Sequence, residues 1–191
     1  MKYLTLTAAL LIGTAAQSAT ISASSDRPDN AGWASHALDI NAFTPGAGRC
    51  GYGSSVTGDG CAPVIKSDPT ARHAYGRLNP DGGSWVDSQD LEVLTWSVER
   101  ATPMTSFSFA LVDAYDQKSS RDGTLGASYF NIALMDGDNL SASWEIPSRE
   151  QNSTLHWITV TLDRAVDRFD LVFNTRINDG YGVMAASAVC R

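Results

Sequence analysis

Three short acidic stretches carry the side chains best suited to chemistry. They are Asp87-Ser88-Gln89-Asp90, Asp113-Ala114-Tyr115-Asp116-Gln117 and Asn178-Asp179. Calcium takes six to eight oxygens from carboxylates, amides and carbonyls, and loops that turn at strand ends offer free carbonyls besides their acids. Asp87, Asp90, Asp113, Asp116 and Asp179 are therefore candidate calcium ligands. The same residue types also serve turns by bonding their own backbone, which is the competing reading of each. Aromatic residues stand beside these acids: Trp85 before Asp87, Tyr115 between Asp113 and Asp116, and Tyr181 after Asp179. An exposed ring next to a hydrogen-bonding acid is the pattern that stacks and fixes a sugar. Trp85, Tyr115 and Tyr181 are thus candidate glycan-binding residues. The alternative is that loop aromatics cap the ends of a core.

Catalytic motifs are weaker. There is no H-E-x-x-H and no G-x-S-x-G. Glu92 and Glu145 are a candidate carboxylate pair for glycoside hydrolysis, which needs a fixed separation that sequence cannot supply. His156 precedes Trp157 in an alternating run and is read as a solvent-facing strand residue. The stretch Asp136-Gly137-Asp138-Asn139 imitates the start of an EF-hand loop, but Leu140 occupies a ligand position and no glycine follows. Gly46, Gly48 and Gly51 match G-x-G-x-x-G without the strand before it or the helix after it that phosphate binding requires.

Six alternating runs must position these residues. Their apolar rows are Leu94, Trp96 and Val98; Phe107, Phe109 and Leu111; Phe130, Ile132 and Leu134; Ala142, Trp144 and Ile146; Ile158, Val160 and Leu162; and Phe169, Leu171 and Phe173. Trp157 is out of phase with its neighbours and is expected on the opposite face. Turn signals separate the runs at Thr102-Pro103, Asp136-Gly137, Pro147-Ser148, Asp163-Arg164 and Asp179-Gly180. No long amphipathic helix interrupts them. The pattern predicts an all-β chain folded as an antiparallel β-sandwich. Residues 20–84 are richer in Gly, Ser, Pro, Asp and Asn, and are expected to wrap the sandwich, with a strand at "TISAS".

The start of the chain reads as a secretory signal peptide. Lys2 gives the positive end, residues 4–12 an apolar stretch, and small residues lead to a cleavage point expected after Ala19. That stretch is too short to span a bilayer. About 170 residues then remain, enough for one domain with a sizeable core. A secreted, extracellular or periplasmic location is expected. The formal charge of -7 repels phosphate backbones and makes nucleic acid a poor partner. In an oxidising compartment Cys50 and Cys61 are a candidate disulfide closing a glycine-rich loop, worth roughly 3 kcal/mol in the chain-entropy model. Cys190 is then left free or paired between chains, and its pairing with either of the others stays open.

The stretches "GGSWVDSQDLEVLTWSV", "MTSFSFALVDAYDQ", "SYFNIALM", "STLHWITVTLDRAVDRFDLVF" and "NDGYGV" resemble secreted bacterial surface proteins of the PEP-CTERM and VPLPA-CTERM type. The resemblance covers residues 80–185. It implies a jelly-roll or lectin-like sandwich at the cell surface or in the extracellular matrix. The family's sorting tail does not follow, so anchoring through it is not expected. Where the family usually carries an Ile-Asp-Asp or Ile-Asp-Asn segment, this chain has Val183-Met184-Ala185-Ala186. Taken together, the expectation is a non-enzymatic sandwich whose partner is a glycan or exopolysaccharide, assisted by calcium. The alternatives are a glycoside hydrolase or polysaccharide lyase on the same fold, and a matrix protein with no ligand.

Overall fold

The computed structural model describes residues 19–47, 62–67, 80, 82–89, 91–115, 130–175 and 180–190. Ten strands follow in chain order: β1 (Thr20–Ser24), β2 (Ala34–Ser35), β3 (Phe43–Pro45), β4 (Val64–Lys66), β5 (Trp85–Asp87), β6 (Val93–Val112), β7 (Phe130–Asp136), β8 (Asn139–Ile146), β9 (Leu155–Thr175) and β10 (Gly182–Cys190). All pairings between them are antiparallel. The fold is the all-β antiparallel sandwich that the alternation predicts.

β6 and β9 are long, and they pair with each other along nearly their whole length. An extended strand rises about 3.3 Å per residue, so Trp96 and Phe107 on a straight β6 would lie roughly 36 Å apart. Their ring centroids are 5.2 Å apart. β6 therefore folds back on itself, and so does its partner β9. The turn signals Thr102-Pro103 and Asp163-Arg164 mark these bends, not strand ends, because the strands continue through them. Register shifts between Glu99 and Met104, and again between Met104 and Ser106, absorb the bend on β6 as bulges do.

Two layers result. One holds β3, residues 93–99 of β6, residues 169–174 of β9, β7 and β8. The other holds β4, β5, β10, residues 106–112 of β6, residues 155–161 of β9, and β1, with β2 extending the free side of β10. Aromatic side chains bridge the layers. Trp96 packs on Phe107 and Phe109, Phe169 on Phe107, and Phe173 on Phe109, at centroid distances of 5.2 to 6.0 Å. The Leu94, Phe107, Phe130 and Phe169 rows, with Ile158 and Val160, are buried in one cluster that also takes in Ile146, and Leu162 packs half-buried against it. Edge-on ring pairs add about 0.5–1.5 kcal/mol each beyond their burial.

The second layer also carries a smaller apolar cluster on its outer face. Trp85, Ala110, Val112, Trp157 and Met184 form it. Trp157 lies there because it is out of phase with Ile158. Gly182 lets the Trp85 ring lie against the β10 backbone, since a Cβ at Gly182 would come within 3.2 Å of that ring. From β1, residues 25–33 cross this face toward β2. Arg27 sits 4.8 Å from the Trp157 ring centre, and Asn30 Nδ2 donates to Ser187 Oγ at 3.0 Å. The chain then turns inward at His36, whose ring packs edge-on against Phe107 at 5.2 Å. Residues 20–35 thus run along the edge and outer face of the second layer. No helix among the described residues is long and apolar enough to cross a membrane.

Candidate functional site

Strand register brings Asp87, Asp113, Tyr115 and Tyr181 to one end of the sandwich. Asp87 pairs with Gly182, Gly182 with Val112, and Val112 with Leu155, so these four share a level in the second layer. Asn174 pairs with Val93, and Phe130 with both Thr175 and Ile146, at the corresponding level of the first. The segments beyond these levels close one end. They contain Asp87, Asp113, Tyr115 and Tyr181 among the described residues. Asp90, Asp116 and Asp179 lie outside the described residues, as do Cys50 and Cys61.

Backbone and side-chain hydrogen bonds lock this end together. Ser88 N donates to Tyr181 O at 3.0 Å, and Tyr181 N donates to Ser88 Oγ at 2.9 Å. Thr175 N donates to Glu92 O at 2.9 Å. Asp113 N donates to Thr154 O at 3.0 Å, Ser153 N to Asp113 Oδ1 at 2.9 Å, and Glu150 N to Tyr115 O at 2.8 Å. Three of the four described non-glycine residues with positive φ stand here: Gln89 at 55°, Asp113 at 62° and Ser153 at 68°. Asp tolerates the left-handed region because its short polar side chain bonds locally.

Asp87 and Asp113 are buried, and both carboxylates are engaged. Asp87 Oδ1 accepts from Gln89 N at 3.0 Å, and Oδ2 meets Lys66 Nζ at 2.5 Å. Lys66 brings a positive charge to the buried carboxylate from the neighbouring strand β4. Asp113 pins the 147–154 loop to the end of β6. These are the local turn and loop roles that Asp supplies well. Among the described residues no group of three or more His, Cys, Asp or Glu is placed to hold a metal ion. Cys190 is a free, half-buried thiol.

The aromatic residues named from sequence are covered. Trp85 is 1% exposed, Tyr115 8% and Tyr181 0%, and none presents a ring face to solvent. Tyr181 packs against Phe130 and Phe173 at 5.0 and 5.5 Å. Its hydroxyl has no hydrogen-bond partner among the described residues, and burial raises its pKa well above 10. It is a neutral core residue under ordinary conditions.

A different group is open at this end. His156 Nε2 lies 2.6 Å from Glu150 Oε2, with 16% and 24% of the two side chains exposed. The Trp144 ring is half-buried, 5.3 Å from the imidazole and inclined at 64°. Sequence reading missed this trio because it put His156 on the solvent face and Trp144 in the core. The structure corrects the first assignment. His156 shares the phase of Ile158 and Val160, pairs with Leu111, and so points to the inner side at the rim. That shared phase was the available signal. Glu150 lies in a loop without periodicity, and nothing in its position announced the contact.

Glu145 lies on the outer face of the first layer, opposite Asn131, whereas Glu92 precedes β6 at the closed end. A cavity of about 40 Å³ lies at the far end of the sandwich among the described residues, bordered by Leu134, Ser141, Val166 and Phe169. That is room for a few waters, not for a sugar ring. Its Arg164 is paired with Asp136 at 3.2 Å.

No family model matches the chain, and no curated protein does. Among solved structures it is similar to a glycoside hydrolase family 43 arabinoxylan arabinofuranohydrolase from Bacillus subtilis, in complex with cellotetraose. The identity is 12%, over 69% of this chain and 25% of that one, with a TM-score of 0.40. It is similar to tailspike protein 4 of bacteriophage CBA120 at 12% identity, over 80% of this chain and 20% of that one, with a TM-score of 0.41. It is also similar to a cyclase from Fischerella sp. TAU at 14% identity, over 88% of each chain, with a TM-score of 0.40. The chain thus spans a quarter of the hydrolase and a fifth of the tailspike.

Proposed function

We propose that this is an exported sandwich protein that binds a glycan or exopolysaccharide at its locked loop end, without breaking bonds. The observation that supports this reading is the convergence just described. Loops from β5, β6, β8 and the approach to β10 are tied to one another by hydrogen bonds, and they leave a half-open Trp144 with His156 and Glu150 beside it. A loop surface ordered before its ligand arrives avoids the ordering cost of binding. Of the five acids expected to hold calcium, Asp87 is paired with Lys66 and Asp113 accepts from Ser153 N, while Asp90, Asp116 and Asp179 lie outside the described residues. Calcium enters this reading through Asp90, Asp113, Asp116 and Asp179. Export to the cell exterior or periplasm rests on the leader pattern of residues 1–19.

A matrix protein with no ligand is the second reading, and the burial of Trp85, Tyr115 and Tyr181 favours it. One experiment separates the two. The purified mature chain is melted with calcium and with chelator, then applied to a glycan array. Glycan signal supports the first reading, and a melting point raised by calcium supports the metal. A blank array with no calcium response supports the second.

A further inference from the structure

We propose that Trp144, His156 and Glu150 form the sugar-contacting subsite and that it takes an uncharged pyranose. The proposal rests on the glycan-binding reading and deepens it. The trio meets at the rim where β8 of one layer approaches β9 of the other, and its three members come from separate parts of the chain: a strand, a loop and the next strand. The loop is not free to drift. Glu150 N is held by Tyr115 O at 2.8 Å, Thr154 N by Gln151 O at 3.1 Å, and Ser153 N by Asp113 Oδ1 at 2.9 Å.

That fixed loop sets the chemistry of the histidine. His156 Nε2 and Glu150 Oε2 share a hydrogen bond at 2.6 Å, so the carboxylate orients the imidazole and Nδ1 is the ring's remaining polar atom. In the proposed subsite Nδ1 meets a sugar hydroxyl, which can both donate and accept. The second oxygen of Glu150 is an acceptor for a neighbouring hydroxyl. Trp144 is half-buried and packs against the core, and in the proposed subsite its exposed part meets the C–H face of the ring. Trp85, Tyr115 and Tyr181 are closed to solvent, whereas Trp144 is not. Charge decides between sugar classes. A carboxylate at the contact point, on a chain of formal charge -7, disfavours a uronate.

The test uses the full mature chain, with calcium present throughout. Binding of cellohexaose, xylohexaose, mannohexaose and trigalacturonate is measured by calorimetry, with tryptophan side-chain NMR as a second readout. The expected result is that a neutral hexasaccharide binds and shifts the Trp144 indole signal. Trp144→Ala and His156→Ala should each weaken it about tenfold or more. Trp144→Phe keeps a stacking face and guards against a folding artefact, with affinity expected within about threefold of the native chain. Neutral sugars bound equally well by Trp144→Ala and His156→Ala would overturn the subsite and leave the glycan reading standing. Binding of trigalacturonate alone would do the same. Failure of every glycan, here and on the array, would overturn both.

Discussion

Substitution of Asp113 separates two roles carried by one side chain. Its backbone sits at φ 62°, and its Oδ1 accepts the Ser153 N–H at 2.9 Å in a site where Asp113 is 3% exposed. Asp113→Ala removes the acceptor and leaves that donor without its partner, at about 1–3 kcal/mol. It also places a Cβ without local bonding in the left-handed region, at about 1 kcal/mol more. The sum is roughly 2–4 kcal/mol. Asp113→Gly loses the hydrogen bond but relaxes the backbone, so it should be about 1 kcal/mol milder than Ala. Asp113→Asn keeps an oxygen acceptor and tolerates the same φ, and should stay within about 1 kcal/mol of the native chain. At about 2–4 °C per kcal/mol for a domain of this size, the Ala variant should melt around 10 °C lower. Calorimetric melting in chelator measures the series without metal. The reasoning fails if Ala and Gly melt alike, or if Asn is as damaging as Ala. A large loss in Asn seen only with calcium present would instead assign the carboxylate charge to a metal.

Two further outcomes follow from the core. Burial first, and then the Arg100 guanidinium, lower the pKa of His36 from 6.5. The unfolded chain therefore binds the proton more readily, so this contribution is whole above about pH 6.5 and is lost as pH falls through that value toward the depressed one. Denaturant titrations from pH 7.5 to 5 should show a steeper acid loss in the native chain than in His36→Phe, and parallel curves would exclude the effect. Phe107 is fully buried between Trp96, Phe109, Phe169 and His36. Phe107→Ala should cost about 3–5 kcal/mol in urea unfolding; a loss near 1 kcal/mol would mean that β6 does not fold back over it.

The strand rows were legible because burial on one face imposes a period of two, and their inward residues form the core. The hairpin at Asp136-Gly137 was legible too, since Gly137 adopts the positive φ that a tight turn asks for. The bends were written in the same rows but less plainly. The inward residues of β6 are even-numbered at Leu94, Trp96 and Val98, then odd-numbered at Phe107, Phe109 and Leu111. β9 changes phase in the same way between Val160 and Phe169. A phase change within a continuous strand signals a bulge, whereas Pro103 and Asp163 invited reading as strand breaks. Sequence marked the acids as loop residues at strand ends, and strand register puts Asp87 and Asp113 at the same end of the second layer. It could not tell which loop aromatics would be covered. Trp85 needed the Gly182 opening beneath it, Tyr181 needed Phe130 and Phe173, and both contacts are long-range. The Glu150–His156 pair was hidden for a similar reason, because its loop takes its shape from bonds to Tyr115 and Asp113.

The doubling back of β6 and β9 has a consequence for how the molecule comes apart. Each of these strands is a covalent member of both layers, so neither layer can peel away without tearing the other's central ladder. Their contacts join residues as distant in the chain as Val93 and Asn174, which makes assembly slow and leaves few partial structures worth populating. Global opening should then be all or nothing across both layers.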